Sequence, residues 1–292
     1  STGDAIPFFQ RAIQLDPRYA RAHALLAYCF AWRALFIDPA NAGVWVAKAE
    51  EAANTADRLG GALAETHIVR SELLFSEHRG WRIDDAIREL KTAIALDPNV
   101  GQVELGILFA HLGSKEQARQ HLEQALVIDP LGAVPKSRYV EFFCSMGEYE
   151  EALKASRRFY NRDGPIEALL GLGYITQAKP LIKDALRTSS APRVLANKAL
   201  LLAMEGRFVE AERLIPRIAR GRLDRGYHHA ALSVAGVFGL QGKAADALKW
   251  LRISASTGMP NHLLFSRDPS LDRIRSSPEF QQFMAGIKRT WE

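Results

Sequence analysis

The sequence predicts an all-α protein made of antiparallel helix pairs stacked one on the next, and three observations carry that expectation. The first is a restated phrase: Leu96-Asp97-Pro98 is answered thirty-two residues later by Ile128-Asp129-Pro130. The second is spacing. Ala86, Leu90 and Ala93 recur as Ala118, Leu122 and Ala125, and i, i+4, i+7 places each trio on one stripe of a helix. The Asp-Pro that follows ends the helix, because the residue before proline is pushed out of the helical region and proline cannot donate the next hydrogen bond. The third is glycine. Gly113, Gly147, Gly173, Gly206 and Gly242 each stand five residues before an alanine that opens the stripe, where a left-handed residue can close one helix and admit the next. A helix pair of this kind cannot bury its apolar stripe alone, so each pair is expected to lean on its neighbours in sequence.

Taken in order, Ala5, Phe9, Ala12 and Pro17 fit the second helix of a pair, so residues 1–17 read as half of a repeat whose first helix lies upstream. The chain therefore reads as a piece of a longer protein, and the Ala5, Phe9, Ala12 stripe is expected to be exposed and to favour self-association. Residues 20–61 begin with the apolar Leu26, Ala27 and Phe30. They carry a longer connection around Ile37 to Gly43, then an alanine-rich helix (Ala49, Ala53, Ala56) suited to close packing. The unit between Pro98 and Pro130, with Leu105, Gly106 and Phe109 in its first helix, is two residues short. Ala152, Ser156, Phe159 and Gly164 form the next second helix and its stop. The unit centred on Ala178, Ile182 and Ala185 is shorter still, with about eight residues between Gly164 and Gly173. Ala211, Ile215 and Ile218 continue the pattern, with a kink expected at Pro216, and Ala247, Leu251 and Ser254 close it. In the tail, Asp268-Pro269 and Ser277-Pro278 each read as an N-cap followed by proline at the first helical position. Leu271, Ile274, Phe280 and Phe283 are expected to cover the last open apolar face.

This unit of about 34 residues resembles the tetratricopeptide repeat. The resemblance implies a right-handed superhelical solenoid of about seven repeats over residues 18–260, shortened near 101–130 and 165–190, with capping helices over 261–292. It also implies a concave groove lined by first helices. On this sequence that face comprises Arg21, Tyr28, Glu65, Ile68, Glu72, Phe75, Ile107, Glu141, Arg193, Leu200, His229 and Leu232. The lysine and asparagine clamp of chaperone-binding members has no counterpart, so the expected partner is a protein or peptide with apolar anchors. The tail pattern of Phe265, Arg267, Asp268, Pro269, Leu271, Asp272, Arg275, Pro278 and Phe280 is similar to the C-terminal cap of tetratricopeptide regions in bacterial multidomain signalling proteins. Those are receptor-type serine/threonine kinases, adenylate cyclases and winged-helix transcriptional regulators. This second resemblance implies a regulatory or sensing segment of such a protein.

The sequence points away from chemistry. No Gly-x-x-x-x-Gly-Lys-Ser/Thr loop, Gly-x-Ser-x-Gly elbow, His-Glu-x-x-His or Cys-x-x-Cys is present, so neither an enzyme nor a cofactor or metal is expected. Gly171 to Tyr174 reads as turn chemistry, and Asp84-Asp85 as a helix start. His228 and His229 are adjacent and point about 100° apart on a helix, so one is expected to face the core and one the groove, with a shared metal disfavoured. Cys29 and Cys144 read as buried free thiols. With no apolar run long enough to span a bilayer, a cytoplasmic location is expected, or a periplasmic one if a membrane segment precedes the array. The net charge is +5 over 292 residues. Residues 1–146 hold 15 Lys and Arg against 18 Asp and Glu, and residues 147–292 hold 23 against 15. Lys154, Arg158, Arg213, Arg217, Arg220, Arg222 and Arg225 are expected to form a basic ridge on the convex side. Contact with nucleic acid or another anion through that ridge is the alternative function.

Overall fold

A computed structural model describes residues 5–160 and 165–289; Gly164, expected to stop one helix, lies outside the described residues. Every regular element among the described residues is helical. The chain divides into two compact units, residues 1–105 with 223–225 and residues 106–222 with 226–292.

The first unit holds α1 (Ile6–Leu15), α2 (Ala20–Trp32), α3 (Ala42–Gly60), α4 (Ala64–Leu74) and α5 (Ile83–Leu96). Ile6, Phe9 and Ile13 of α1 pack on the core that α2 and α3 share, so the stripe expected to be open is in part covered. The large apolar side chains that α1 leaves open are Phe8, 75% exposed, and Leu15, 73%. Ala49, Ala53 and Ala56 are buried completely or nearly so, and the absence of larger side chains lets α3 lie close on α2. The long connection between them is a π-helical turn over Arg33–Ile37 and a 3-10 turn over Pro39–Asn41.

The helix α6 (Gln102–Leu112) enters the second unit at Gly106, whose missing side chain makes room for Leu122. There follow α7 (Lys115–Ile128), α8 (Ala133–Ser145), α9 (Tyr149–Tyr160), α10 (Ile166–Gly171), α11 (Ile175–Thr188) and α12 (Pro192–Met204). The next second helix is broken into α13 (Phe208–Glu212) and α14 (Ile215–Ala219), the break falling just before Pro216. Then come α15 (Tyr227–Leu240), α16 (Ala244–Ser256), α17 (His262–Arg267), a 3-10 turn over Pro269–Ile274 and α18 (Pro278–Arg289). Phe142, Met146, Leu169, Leu201, Ile218, Phe265 and Phe280 are among the largest side chains buried in this unit.

The five glycine turns are built alike. After α6, the amide of Gly113 donates to the Ala110 carbonyl at 3.1 Å and the amide of Ser114 to the Phe109 carbonyl at 2.9 Å. The second of these is the six-to-one bond that closes a helix through a left-handed residue. Gly206, at φ 77°, has nothing within 4 Å of where a Cβ would sit, so only the backbone restrains it. Gly206→Ala is therefore expected to cost about 1–2 kcal/mol by urea unfolding, the strain of a left-handed non-glycine residue. An unchanged midpoint would contradict that.

The tail does more than lie over the last pair. Asp268 caps the 3-10 turn by accepting from the Ser270 amide at 2.9 Å, and Leu271, Ile274 and Phe280 are buried. Upstream of that turn, the Asn261 side-chain amide donates to the carbonyls of Ala110 and Ser145, both at 2.8 Å. These are end-of-helix carbonyls of α6 and α8, beyond the reach of the i+4 ladder; that of Ala110 also takes the Gly113 amide. Beyond the expected leaning of each pair on its neighbours, residues more than a hundred positions apart are in contact in the second unit. The physical reason lies partly in α15, where Gly236 and Gly239 leave room for Ser270 to lie directly on the helix.

Candidate functional site

The first helices of successive pairs in the second unit bring their polar side chains to one place. Arg138 and Glu141 lie one turn apart on α8, Glu167 is on α10, Arg193 and Asn197 are one turn apart on α12, and His229 and Ser233 are one turn apart on α15. Arg193 is the centre. Its Nε donates to Glu167 Oε1 at 2.8 Å and its Nη1 to Glu141 Oε1 at 3.0 Å. Arg138 donates to the other oxygen of Glu141 at 2.5 Å, and Asn197 Nδ2 donates to Glu167 Oε1 at 3.0 Å. The Ser233 hydroxyl lies 3.4 Å from Asn197 Oδ1, and His229 Nε2 lies 3.6 Å from Glu141 Oε1.

The electrostatics follow from burial. Desolvation would raise the Glu141 carboxyl, but Arg193 and Arg138 outweigh it and hold the pKa down to about 2. Glu167 is also lowered, burial again being outweighed by Arg193. The two carboxylates in turn overcome the burial penalty on Arg193 and raise it. Two carboxylates and two guanidiniums form a neutral, hydrogen-bonded set, the condition under which buried charge is tolerated. Burial pushes the Cys144 thiol well up, which keeps it a thiol and a weak nucleophile.

This network forms one wall of a cavity of about 300 Å³ whose other walls include Leu170, Leu200, Met204, Leu232, Leu240 and Leu264. Arg193 keeps 31% of its side chain accessible because it faces this space. Five residues expected on a concave face, Glu141, Arg193, Leu200, His229 and Leu232, line it together. Ile107 is half-buried on α6 and does not line it.

The remaining expected face residues belong to the first unit. Arg21 pairs with Glu65 at 2.7 Å, Tyr28 stacks on Trp32, and Ile68 is half-buried. Phe75 departs from expectation: it is buried edge-on against Trp81 and serves the core, because the chain turns back at the end of α4 and covers it. Glu72 is buried and ion-paired with Arg225, which removes Arg225 from the basic ridge. The Arg225 guanidinium lies over the rings of Phe36 and Phe75, and burial lowers its pKa to about 10. Arg158, Arg213, Arg217, Arg220 and Arg222 are exposed, as is Lys154, which pairs with Glu151.

Sequence reading did not single out Arg138, Glu167, Asn197, Ser233 or His111. The one-turn pairs Arg138/Glu141 and Arg193/Asn197 carried a signal, since polar residues at that spacing share a helix face. His111 carried none; the structure places it beside His228 and His229, with ring centroids 4.6 and 5.2 Å away. His228 is buried and His229 borders the cavity, one towards the core and one towards the groove. Those three imidazoles are the group in the described residues whose geometry suits a metal ion.

No family model matches the chain, and no curated protein matches it. Among solved structures the chain is similar to the crystal structure of the P58(IPK) TPR domain. The match has 15% identity and a TM-score of 0.26, and covers 99% of this chain and 87% of that one. The fold is all-α, a stack of helix pairs. No helix among the described residues is long and apolar enough to cross a membrane.

Proposed function

We propose that this chain is a non-catalytic tetratricopeptide-like scaffold whose second-unit cavity receives a protein or peptide segment carrying an apolar anchor. The supporting observation is the cavity itself. Leucines and Met204 offer a dry seat, and the Glu141, Arg193, Glu167 network beside them offers fixed donors and acceptors to orient a peptide backbone. The arrangement is held before any ligand arrives, so little ordering cost falls on binding. In this reading the array is the regulatory or sensing segment of a larger bacterial signalling protein, on the likeness of its tail residues to the caps of such proteins. Panning a random peptide library on the chain is expected to select sequences with a large apolar side chain. Leu200→Arg is expected to weaken them at least about tenfold, the cost of about 1.4 kcal/mol for a lost apolar anchor. Retained binding by a folded Leu200→Arg variant would sink the proposal.

The exposure of Arg213, Arg217, Arg220 and Arg222 favours a second reading, an accessory anion or nucleic-acid contact. Affinity for duplex DNA would then fall steeply with salt and would be lost in the Arg213→Glu, Arg217→Glu double variant. No binding at low salt would remove this reading.

A further inference from the structure

We propose that His111, His228 and His229 form a binding site for a divalent transition-metal ion of the zinc type, clamping the end of α6 to the start of α15. His111 is the penultimate residue of α6, and the other two lie in the first turn of α15. One ligand nitrogen from each histidine lies within 4.8 Å of the other two, and the His228 and His229 ring centroids are 4.5 Å apart. Tetrahedral zinc, with Zn–N bonds of about 2.0–2.1 Å, needs nitrogens roughly 3.4 Å apart, so side-chain rotation of about an ångström completes the set.

Three further features fit a ligand set. His228 Nδ1 lies 3.0 Å from the Thr257 carbonyl, so that nitrogen carries the proton and Nε2 keeps its lone pair for a metal. The Glu141 carboxylate lies 3.6 Å from His229 Nε2 and supplies negative charge beside the cation, against the positive charge of Arg193 and Arg138. His229 borders the cavity, which gives an ion a way in. Burial also keeps the imidazoles neutral, the form that binds metal: His111 is lowered to about 4, and His228 and His229 well below the ordinary value. Adjacent histidines diverge on a helix, which is why the sequence argued against a shared ion; a third histidine arriving from α6 changes that geometry.

The test uses the untagged chain, stripped with a chelator and titrated with zinc chloride by calorimetry in excess magnesium, then with cobalt(II) by visible absorption. One equivalent of zinc at micromolar concentration or tighter, with the intense cobalt band of a four-coordinate site of three imidazoles and one water, is expected. The His111→Phe variant should bind at least about tenfold more weakly, as loss of even a supporting partner costs 10–100-fold. No zinc binding by the parent chain at micromolar concentration overturns the proposal, as does unchanged affinity in folded His111→Phe. Should that variant fail to fold, X-ray absorption of the zinc-loaded parent decides: three imidazole ligands support the site and fewer overturn it.

Discussion

Replacing Asn261 with leucine is expected to lower the stability of the second unit by about 2–4 kcal/mol. The side chain is fully buried, and its amide nitrogen serves the Ala110 and Ser145 carbonyls while its oxygen accepts from the Leu264 amide at 2.9 Å. Leucine has a similar branched shape, though it is larger, and no polar atoms, so the Ser145 carbonyl loses its donor at about 1–3 kcal/mol, while the Ala110 carbonyl keeps the Gly113 amide and loses one of two hydrogen bonds at about 1 kcal/mol. Asp268→Ala, which removes a cap without orphaning distant carbonyls, should cost only about 1 kcal/mol. Urea unfolding of both variants checks the contrast; equal losses would show that Asn261 acts as an ordinary cap.

The second large effect is acid destabilisation. Burial, opposed by Glu141, holds His111 at about 4 in the folded chain against an ordinary 6.5. As pH falls below 6.5 the unfolded chain takes up a proton that the folded chain refuses, so stability is lost from about pH 6.5 down to about 4. The loss from His111 alone is on the order of 3 kcal/mol, and His228 and His229 act in the same direction. Glu141 extends the decline. Its folded value of about 2, against 4.5 ordinarily, means that its stabilisation is present above pH 4.5 and lost towards pH 2. Unfolding free energies measured from pH 7 to 4 should fall steadily in the parent chain and more gently in His111→Phe. A flat profile between pH 7 and 5 would contradict the buried neutral imidazoles.

The two effects concern different kinds of information. Helix ends and turns were legible because each is decided within about six residues: the amide just after the turn glycine must find a carbonyl five residues back, and only a left-handed residue permits it. Gly113 and its four counterparts announce this directly. The break at Pro216 is equally local. Part of the site was also legible, since Glu141, Arg193, Leu200, His229 and Leu232 hold repeating positions on first helices. The partners that make those residues a site were not. Glu141 and Arg193 meet across 52 positions, and nothing in either neighbourhood specifies the other.

By itself, then, the sequence determined the helices, their pairing, the left-handed turns and the capped tail, all enforced by hydrogen bonds and apolar spacing along a single stretch of chain. Only the tertiary structure decided that the second unit touches itself over long distances, through Asn261 on two helix ends and His111 against α15. The reason is that such contacts depend on how small differences in helix length and side-chain size accumulate from pair to pair. That accumulated geometry has no signature at any one residue.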